Sequence, residues 1–256
     1  MILRILSENA LRMALVAALL AALALSTGAR ASERGYRLDR APIDPSSQAS
    51  LQAGARTFVN YCLNCHGAQF MRYNRLQDIG LTDKQIKDNL LFTADKGGET
   101  MKIAMRTADA KVWFGVAPPD LSVIARARGA NWLYTYLRAF YRDPKTPTGW
   151  NNAVFPNVAM PHALWTLQGE QARETVTVKD HGGHETTETR FRTIRAGAQS
   201  TSEYDRTVLD LTNFLVYVGE PVAQARKRIG VYVLFVLGIL FVFAYALKRE
   251  FWKDVH

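Results

Sequence analysis

A single pentapeptide, Cys62-Leu63-Asn64-Cys65-His66, limits what this 256-residue chain can fold around. It matches the attachment pattern of c-type haem. The two cysteines, three positions apart, share one face of a helical turn, where each can form a thioether with a haem vinyl group. The histidine that follows can ligate the haem iron from the proximal side. The pattern therefore predicts one covalent haem c, attached through Cys62 and Cys65 and ligated by His66.

Other uses of a Cys-x-x-Cys pair fit the surrounding sequence less well. A thioredoxin-like redox pair would follow a strand, but the apolar residues before the motif recur at helical spacing: Leu51, Ala55, Phe58, Val59 and Cys62. A zinc site would need a second half, for which His181 and His184 are available in a polar stretch. A simple disulfide would form in an oxidising compartment unless haem attachment took both thiols.

The first 31 residues have the pattern of an export signal. Arg4 and Arg12 give a positive start, residues 13–25 are apolar, and Ala29-Arg30-Ala31 offers small residues at the cleavage positions. The apolar run would span only about 20 Å as a helix, short of the roughly 30 Å hydrocarbon core of a bilayer. We predict a signal peptide over residues 1–31, cleaved after Ala31, with an uncleaved anchor as the alternative.

A second apolar segment, residues 229–247, is long enough to cross a membrane. Its 19 residues carry no charge, and basic residues flank both ends. We predict a transmembrane anchor over residues 226–250. Because the basic residues are balanced, orientation must come from the export signal, which leaves residues 251–256 in the cytoplasm and the larger part outside.

The positive charge of the chain is concentrated in these two end segments. The whole chain is +9, but residues 1–31 carry three arginines and one glutamate, and residues 226–256 carry six basic and two acidic side chains. The exported part, residues 32–225, is therefore only about +3. The basic flanks suit a lipid bilayer, and we predict no nucleic-acid partner.

Local patterns in residues 32–225 are mostly helical, and the segment is long enough for one domain. Ser46 or Ser47 can cap the helix that leads to Cys62, and Thr82-Asp83-Lys84-Gln85 matches a capping box. Residues 174–179 and 186–194 are rich in Thr, Val and Arg on either side of a turn. They predict a small β-hairpin.

The sixth position on the iron decides between electron transfer and ligand chemistry, because only an open position can bind a small molecule or peroxide. Beyond the predicted signal the chain has four methionines: Met71, Met101, Met105 and Met160. Met71 lies too close to His66 to reach the opposite haem face easily. Met160 is the best candidate because prolines at 156 and 161 restrict its loop, and a thioether suits haem iron. His162 is a bis-histidine alternative.

Several segments, in this order along the chain, resemble the cytochrome c1 family, which provides the haem c subunit of the ubiquinol:cytochrome c oxidoreductase (cytochrome bc1 complex). They are Tyr61-Cys62-Leu63-Asn64-Cys65-His66-Gly67, Met71-Arg72-Tyr73-Asn74-Arg75, Trp113-Phe114-Gly115-Val116-Ala117-Pro118-Pro119-Asp120-Leu121-Ser122, Arg126-Ala127-Arg128-Gly129, Met160-Pro161 and the C-terminal anchor. The resemblance implies a mainly α fold: a cytochrome c-like haem domain with loop insertions and a small β-hairpin, plus one C-terminal transmembrane helix.

The resemblance also assigns roles to individual residues. It implies that His66 and Met160 are the axial ligands of a haem bound through Cys62 and Cys65, and that Arg128 pairs with a haem propionate. Such a pairing makes physical sense, because a partly buried carboxylate is costly without a charged partner. Pro118 and Pro119 would wall the haem crevice.

The function implied is a one-electron relay from the [2Fe-2S] centre of the Rieske iron-sulfur subunit, through haem c, to a c-type cytochrome acceptor. Cytochrome b and the Rieske subunit would be partners in a dimeric complex, and quinol oxidation would belong to them. The chain itself would need no acid, base or nucleophile. The short export signal favours a bacterial inner membrane, with the haem domain in the periplasm.

Two alternatives remain at the level of sequence. A membrane-anchored cytochrome c of another oxidase or reductase would share the haem, the ligands and the anchor. A haem enzyme or gas sensor would need an open iron site. One departure from the family pattern bears on the acceptor: mitochondrial members dock cytochrome c through acidic surface, whereas this exported part is mildly basic.

Overall fold

The computed structural model of the chain describes residues 36–103, 105–179 and 185–254, and residues 37–256 form one compact unit. Helices predominate among the described residues, as predicted. The α-helices are α1 (Gln48–Thr57), α2 (Asp83–Asn89), α3 (Thr107–Phe114), α4 (Ile124–Arg128), α5 (Ala130–Arg138), α6 (Trp165–Gln168), α7 (Thr201–Gly219) and α8 (Ala223–Phe251). A π-helix (Phe58–Cys62) follows α1, and a 3-10 helix spans Tyr73–Ile79.

Helices α1 and α7 cross at close range and form the centre of the domain that precedes α8. The approach is possible because Gly54 has no side chain: a Cβ atom there would lie 2.1 Å from the carbonyl oxygen of Asp210. A small polar cluster joins the same two helices, since Ser50 Oγ donates to Asp210 Oδ1 at 2.6 Å and accepts from Asn213 Nδ2 at 2.7 Å. Phe58 and Phe214 pack beside it with ring centroids 5.6 Å apart.

The predicted helix start signals are mostly confirmed. Ser47 caps α1, and Thr82 and Gln85 form the expected capping box of α2. A second capping box, between Ser200 and Glu203, begins α7. These side chains satisfy backbone N–H groups that have no partner within the helix.

Three antiparallel two-stranded sheets complete the described fold. Strand β1 (Ala68–Arg72) pairs with β2 (Thr100–Met101), and β3 (Phe140–Arg142) pairs with β4 (Trp150–Asn152). Neither short sheet was predicted. The third sheet joins β5 (Gly169–Lys179) and β6 (Glu185–Ala196), which confirms the predicted hairpin and extends it.

The β5–β6 hairpin is held at its base by contacts to β3. Arg142 donates two hydrogen bonds to the carboxylate of Glu170, both at 2.9 Å, and Gln171 Nε2 donates to the carbonyl oxygen of Phe140 at 2.7 Å. A two-stranded hairpin is marginally stable by itself in water. The contacts with β3 therefore help to stabilise the hairpin in the register set by the hydrogen bonds between β5 and β6.

Helix α8, 29 residues long, contains the predicted anchor and has no buried residue. It is the one helix among the described residues that is long and apolar enough to cross a membrane. Its exposed apolar side chains need a hydrocarbon environment or another protein. The proposed signal peptide, the two hairpin histidines His181 and His184, and the last two residues lie outside the described residues.

Candidate haem-binding site

A cavity of about 340 Å³ lies in the haem domain, and all the residues proposed for haem binding line it. These are Cys62, Cys65, His66, Pro118, Pro119, Arg128 and Met160. The rest of the wall is mostly apolar and comes from α3, α4, α5, α7 and the loops between them. Segments far apart in sequence therefore meet around one space.

The π-helix after α1 delivers the two cysteines to this cavity. The backbone N–H groups of Cys65 and His66 both donate to the carbonyl oxygen of Cys62, at 3.0 and 2.8 Å, so the motif forms a tight turn. The two cysteines are half-buried and are not joined to each other by a disulfide, so both sulfurs can take part in haem attachment. Desolvation raises the pKa of the Cys62 thiol to about 12 and also raises the pKa of Cys65. A redox-active Cys-x-x-Cys pair needs the opposite shift, because the thiolate is the nucleophile.

The imidazole of His66 is fixed by one hydrogen bond. Its Nδ1 lies 2.8 Å from the carbonyl oxygen of Pro119, which can only accept, so Nδ1 carries the proton and Nε2 keeps its lone pair. Desolvation also lowers the pKa of His66, which favours the neutral ring. A neutral histidine with one nitrogen tied to a carbonyl is the usual arrangement of a metal ligand.

The segment after the two prolines is joined to the chain just beyond the haem motif. The N–H of Leu121 donates to the carbonyl oxygen of Gly67 at 2.7 Å, and the N–H of Gln69 donates to Asp120 Oδ2 at 2.9 Å. The hydroxyl of Ser122, which is buried, accepts from the N–H of Phe70 at 3.0 Å. The sequence indicated Pro118 and Pro119 as walls of the crevice but gave no sign of the anchoring roles of Asp120 and Ser122.

Two buried asparagines hold the loop that carries Met160. The side-chain oxygen of Asn152 accepts from the N–H groups of Val154 and Phe155 at 2.9 and 3.2 Å, and that of Asn151 accepts from the N–H of Asn157 at 2.8 Å. Asn152 is fully buried. The prolines of this loop were predicted to restrict it, whereas the roles of Asn151 and Asn152 were not predicted from the sequence. Two adjacent asparagines before a loop with prolines could have indicated this role, because an asparagine side chain can accept hydrogen bonds from backbone N–H groups that lack a backbone acceptor.

The other candidate ligands lie elsewhere. Met71 is 1% exposed and Met101 is 0% exposed, and both pack in the hydrophobic core. Neither they nor Met105 line the cavity. His162 does not line it either: its ring stacks on Phe140 at a centroid distance of 4.8 Å. Of these side chains, only Met160 is brought to the cavity with His66.

Arg128 stands over two aromatic rings at the cavity. Its guanidinium carbon is 5.2 Å from the ring centroid of Trp132 and 5.9 Å from that of Phe155. Contacts of this kind orient a cation by its interaction with the ring face. They leave the planar N–H groups of the guanidinium able to bind a carboxylate.

The residues around the cavity fit a covalently attached haem. Two thiols on one turn, an imidazole with a free Nε2, a thioether, apolar walls and an oriented arginine supply the attachment, ligation, dry surroundings and charge pairing that the group requires. Together with α8, they define a membrane-anchored c-type cytochrome.

Comparison with known proteins gives the family. The chain belongs to the cytochrome c1 family, whose model matches residues 40–190 and 193–255. It is the haem-carrying electron-transfer subunit of a cytochrome bc1 complex, in which it accompanies cytochrome b, and it carries covalently bound haem c. This assignment favours the bc1 complex over the other oxidases or reductases considered from the sequence.

Three curated relatives illustrate the match. Cytochrome c1 of Allochromatium vinosum is 50% identical over 90% of this chain and 94% of its own length. A protein of Nitrosomonas europaea named ammonia monooxygenase gamma subunit is 49% identical over 93% of this chain and 97% of its own length. Cytochrome c1 of Rhodospirillum rubrum is 28% identical over 91% of this chain and 94% of its own length. All three relatives are bacterial proteins.

Proposed function

We propose that this subunit receives single electrons from the [2Fe-2S] centre of a Rieske subunit and passes them to a c-type cytochrome. Its haem would be attached to Cys62 and Cys65, ligated by His66 and Met160, and paired through a propionate with Arg128. When bound, the haem supplies one-electron redox chemistry. Quinol oxidation would take place in cytochrome b and the Rieske subunit.

The observation that carries the proposal is the cavity that both His66 and Met160 line. A histidine and a methionine together fill both axial positions of haem iron, which confines the group to electron transfer. The methionine ligand also raises the reduction potential. An enzyme or gas sensor would instead need an open position, and the placement of Met160 argues against one.

The side chains around the cavity have positioning roles in this scheme. The carbonyl oxygen of Pro119 accepts a hydrogen bond from Nδ1–H of His66, the apolar wall excludes water, and Arg128 would neutralise a haem propionate. None of these tasks moves a proton during turnover. We infer that the chain contributes no acid, base or nucleophile to the reaction of the complex.

The proposed topology places the haem domain, residues 32–225, in the periplasm of a bacterium. Residues 1–31 would be the cleaved signal, residues 226–250 the single anchor in the inner membrane, and residues 251–256 a cytoplasmic tail. The exposed apolar surface of α8 supports packing against lipid and against cytochrome b in a dimeric complex. The mildly basic charge of the domain favours an acceptor with an acidic docking surface.

Mild detergent purification through a tag on this chain tests the proposed partners. We expect cytochrome b and a Rieske protein to purify with it, and one quinol turnover to reduce its haem. In membranes from a strain that lacks the Rieske protein, we expect the same quinol pulse to leave the haem oxidised. Reduction at an unchanged rate without the Rieske protein would contradict the proposed donor.

A further inference from the structure

The hydroxyl of Tyr136 lies against the sulfur of the proposed iron ligand. Its Oη donates a hydrogen bond to Met160 Sδ across 3.3 Å, within the range for a sulfur acceptor. The side chain is buried, at 8% exposure, and it lines the same cavity. A phenolic hydroxyl has one hydrogen to donate, and here it is directed at the sulfur.

The ring of Tyr136 is held on two sides. It stacks on Trp132 with centroids 4.6 Å apart and an interplanar angle of 11°, and it meets Phe140 edge to face at 5.1 Å. The backbone carbonyl of Tyr136 accepts a hydrogen bond from Asn152 Nδ2 at 2.8 Å. Asn152 also holds the Met160 loop. Helix α5 is therefore connected to this loop twice, through the hydroxyl of Tyr136 to Met160 and through the backbone carbonyl of Tyr136 to Asn152.

A thioether sulfur has two lone pairs, and the hydrogen bond occupies one of them. The other remains for the iron, so Tyr136 restricts the orientations in which Met160 can turn its sulfur. We propose that Tyr136 is a positioning residue that orients the Met160 sulfur for ligation and raises the reduction potential of the haem. This inference rests on Met160 being the axial ligand.

The effect on the potential follows from the charge on the sulfur. A sulfur that gives electron density to ferric iron is a poorer hydrogen-bond acceptor than one bound to ferrous iron. The hydrogen bond from Tyr136 is therefore stronger in the reduced state and stabilises it. Burial enhances the difference, because hydrogen bonds are stronger in a low-dielectric interior.

The decisive variant is Tyr136→Phe in the full-length protein within its complex, since it removes the hydroxyl and keeps the ring. At a fixed solution potential we expect the ratio of ferrous to ferric haem to fall by up to about fivefold, which corresponds to the free energy that one ordinary hydrogen bond contributes. Carbon monoxide should also compete with Met160 more readily in the reduced protein. The ferric charge-transfer band of the methionine–iron bond should remain but weaken.

Tyr134→Phe is the matched control. Tyr134 lies on the same helix and is equally buried, at 8% exposure, but it does not line the cavity. We expect the haem potential of this variant, and the ease with which carbon monoxide displaces Met160, to match those of the wild type. A shift as large as that of Tyr136→Phe would show a general effect of losing a buried hydroxyl from α5 and would overturn the proposal.

A measurement on the wild-type protein avoids any dependence on how the variant folds. Exchange of the Tyr136 hydroxyl proton for deuterium should shift the iron–sulfur vibration in resonance Raman spectra. If the methionine band is present but neither deuterium nor Tyr136→Phe changes the spectrum or the potential, the role of Tyr136 is wrong and the proposed ligation stands. If the wild type lacks the methionine band, the ligation fails, and this inference fails with it.

Discussion

His66 and Met160 line the same cavity but are held by different kinds of contact. His66 is fixed through a hydrogen bond from its own ring to Pro119. Met160 sits in a loop whose backbone is held by the side chains of Asn151 and Asn152. The unusual backbone of Asn157, with a φ of 61°, lies in this loop and is stabilised through its N–H by Asn151. If His66 and Met160 ligate the iron as proposed, rigid support of both side chains limits how far the iron site can rearrange with oxidation state.

Met160→Leu tests the ligation at the scale of one atom. Leucine keeps the apolar volume but has no lone pair for the iron, so we expect haem to stay covalently attached while the midpoint potential falls by on the order of 0.1–0.3 V. Axial ligands set haem potentials over a range of about 0.8 V. Spectroelectrochemical titration of the purified complex measures the change.

Met71→Leu is the control for that substitution, because Met71 is buried in the core and does not line the cavity. Its potential should equal that of the wild type. A Met160→Leu protein with an unchanged potential, and with no new binding of carbon monoxide, would refute the assignment of Met160 as a ligand.

Among the secondary-structure elements, the helices α1 and α7 pack closely against each other at Gly54. Helix α1 leads through the π-helix to Cys62, while α7 contributes Leu211 and Leu215 to the cavity wall. Their spacing therefore sets where the haem-binding turn lies relative to the far wall. Local insertion of a π-helical turn is common at functional sites, and here it precedes the attachment motif.

Gly54→Ala should separate the two helices. The new Cβ atom would lie 2.1 Å from the backbone oxygen of Asp210 and 2.6 Å from Phe214 Cβ, so one helix must move. We expect a loss of about 3 kcal/mol in the free energy of unfolding, at the upper end of the usual cost of overpacking. Denaturant titration followed by circular dichroism measures it, and the yield of haem-loaded protein should fall in parallel.

Gly98→Ala serves as the comparison, since a Cβ atom there meets nothing within 4 Å. It should alter the free energy of unfolding by less than about 0.5 kcal/mol, as expected for a surface substitution. Equal stabilities for the two alanine variants would show that α1 and α7 tolerate a wider separation than the Gly54 contact implies.

The two parts of the molecule, the haem domain and α8, differ in whether their apolar side chains are buried or exposed. The haem domain buries most of its apolar side chains in one core, whereas α8 exposes them along its full length. An exposed apolar helix of this length requires a bilayer or a partner. Most of the positive charge lies at the ends of the chain, next to the apolar segments, and the domain between them is nearly neutral.

A chain that ends after Val222 should separate these two parts. Because α8 has no buried residue, we expect the truncated protein to keep its haem and its midpoint potential and to move from the membrane to the soluble fraction. A chain that ends after Trp252, which retains α8, should stay in the membrane. Loss of haem in the shorter protein alone would show that the anchor supports the fold of the domain.

The sequence alone predicted the features that depend on neighbouring residues. The spacing of Cys62, Cys65 and His66, the capping box of α2, the hairpin and the long apolar helix all follow from local chemistry and periodicity. Their signals are contained within a few turns of chain. The order of the segments that resemble the cytochrome c1 family also sufficed to indicate that family, which the comparison confirmed.

Only the tertiary structure decided which distant groups meet. Nothing near Met160 in sequence indicates Tyr136, and nothing near His66 indicates Pro119, because these pairs are 24 and 53 residues apart. The same holds for the space that Gly54 leaves for α7. Contacts of this kind depend on how separate elements pack in a close-packed interior, where a shift of one side chain moves its neighbours. The chain's local chemistry thus specified a haem-binding turn and a candidate second ligand, and packing decided that Met160 meets His66 at one cavity, next to the hydroxyl of Tyr136.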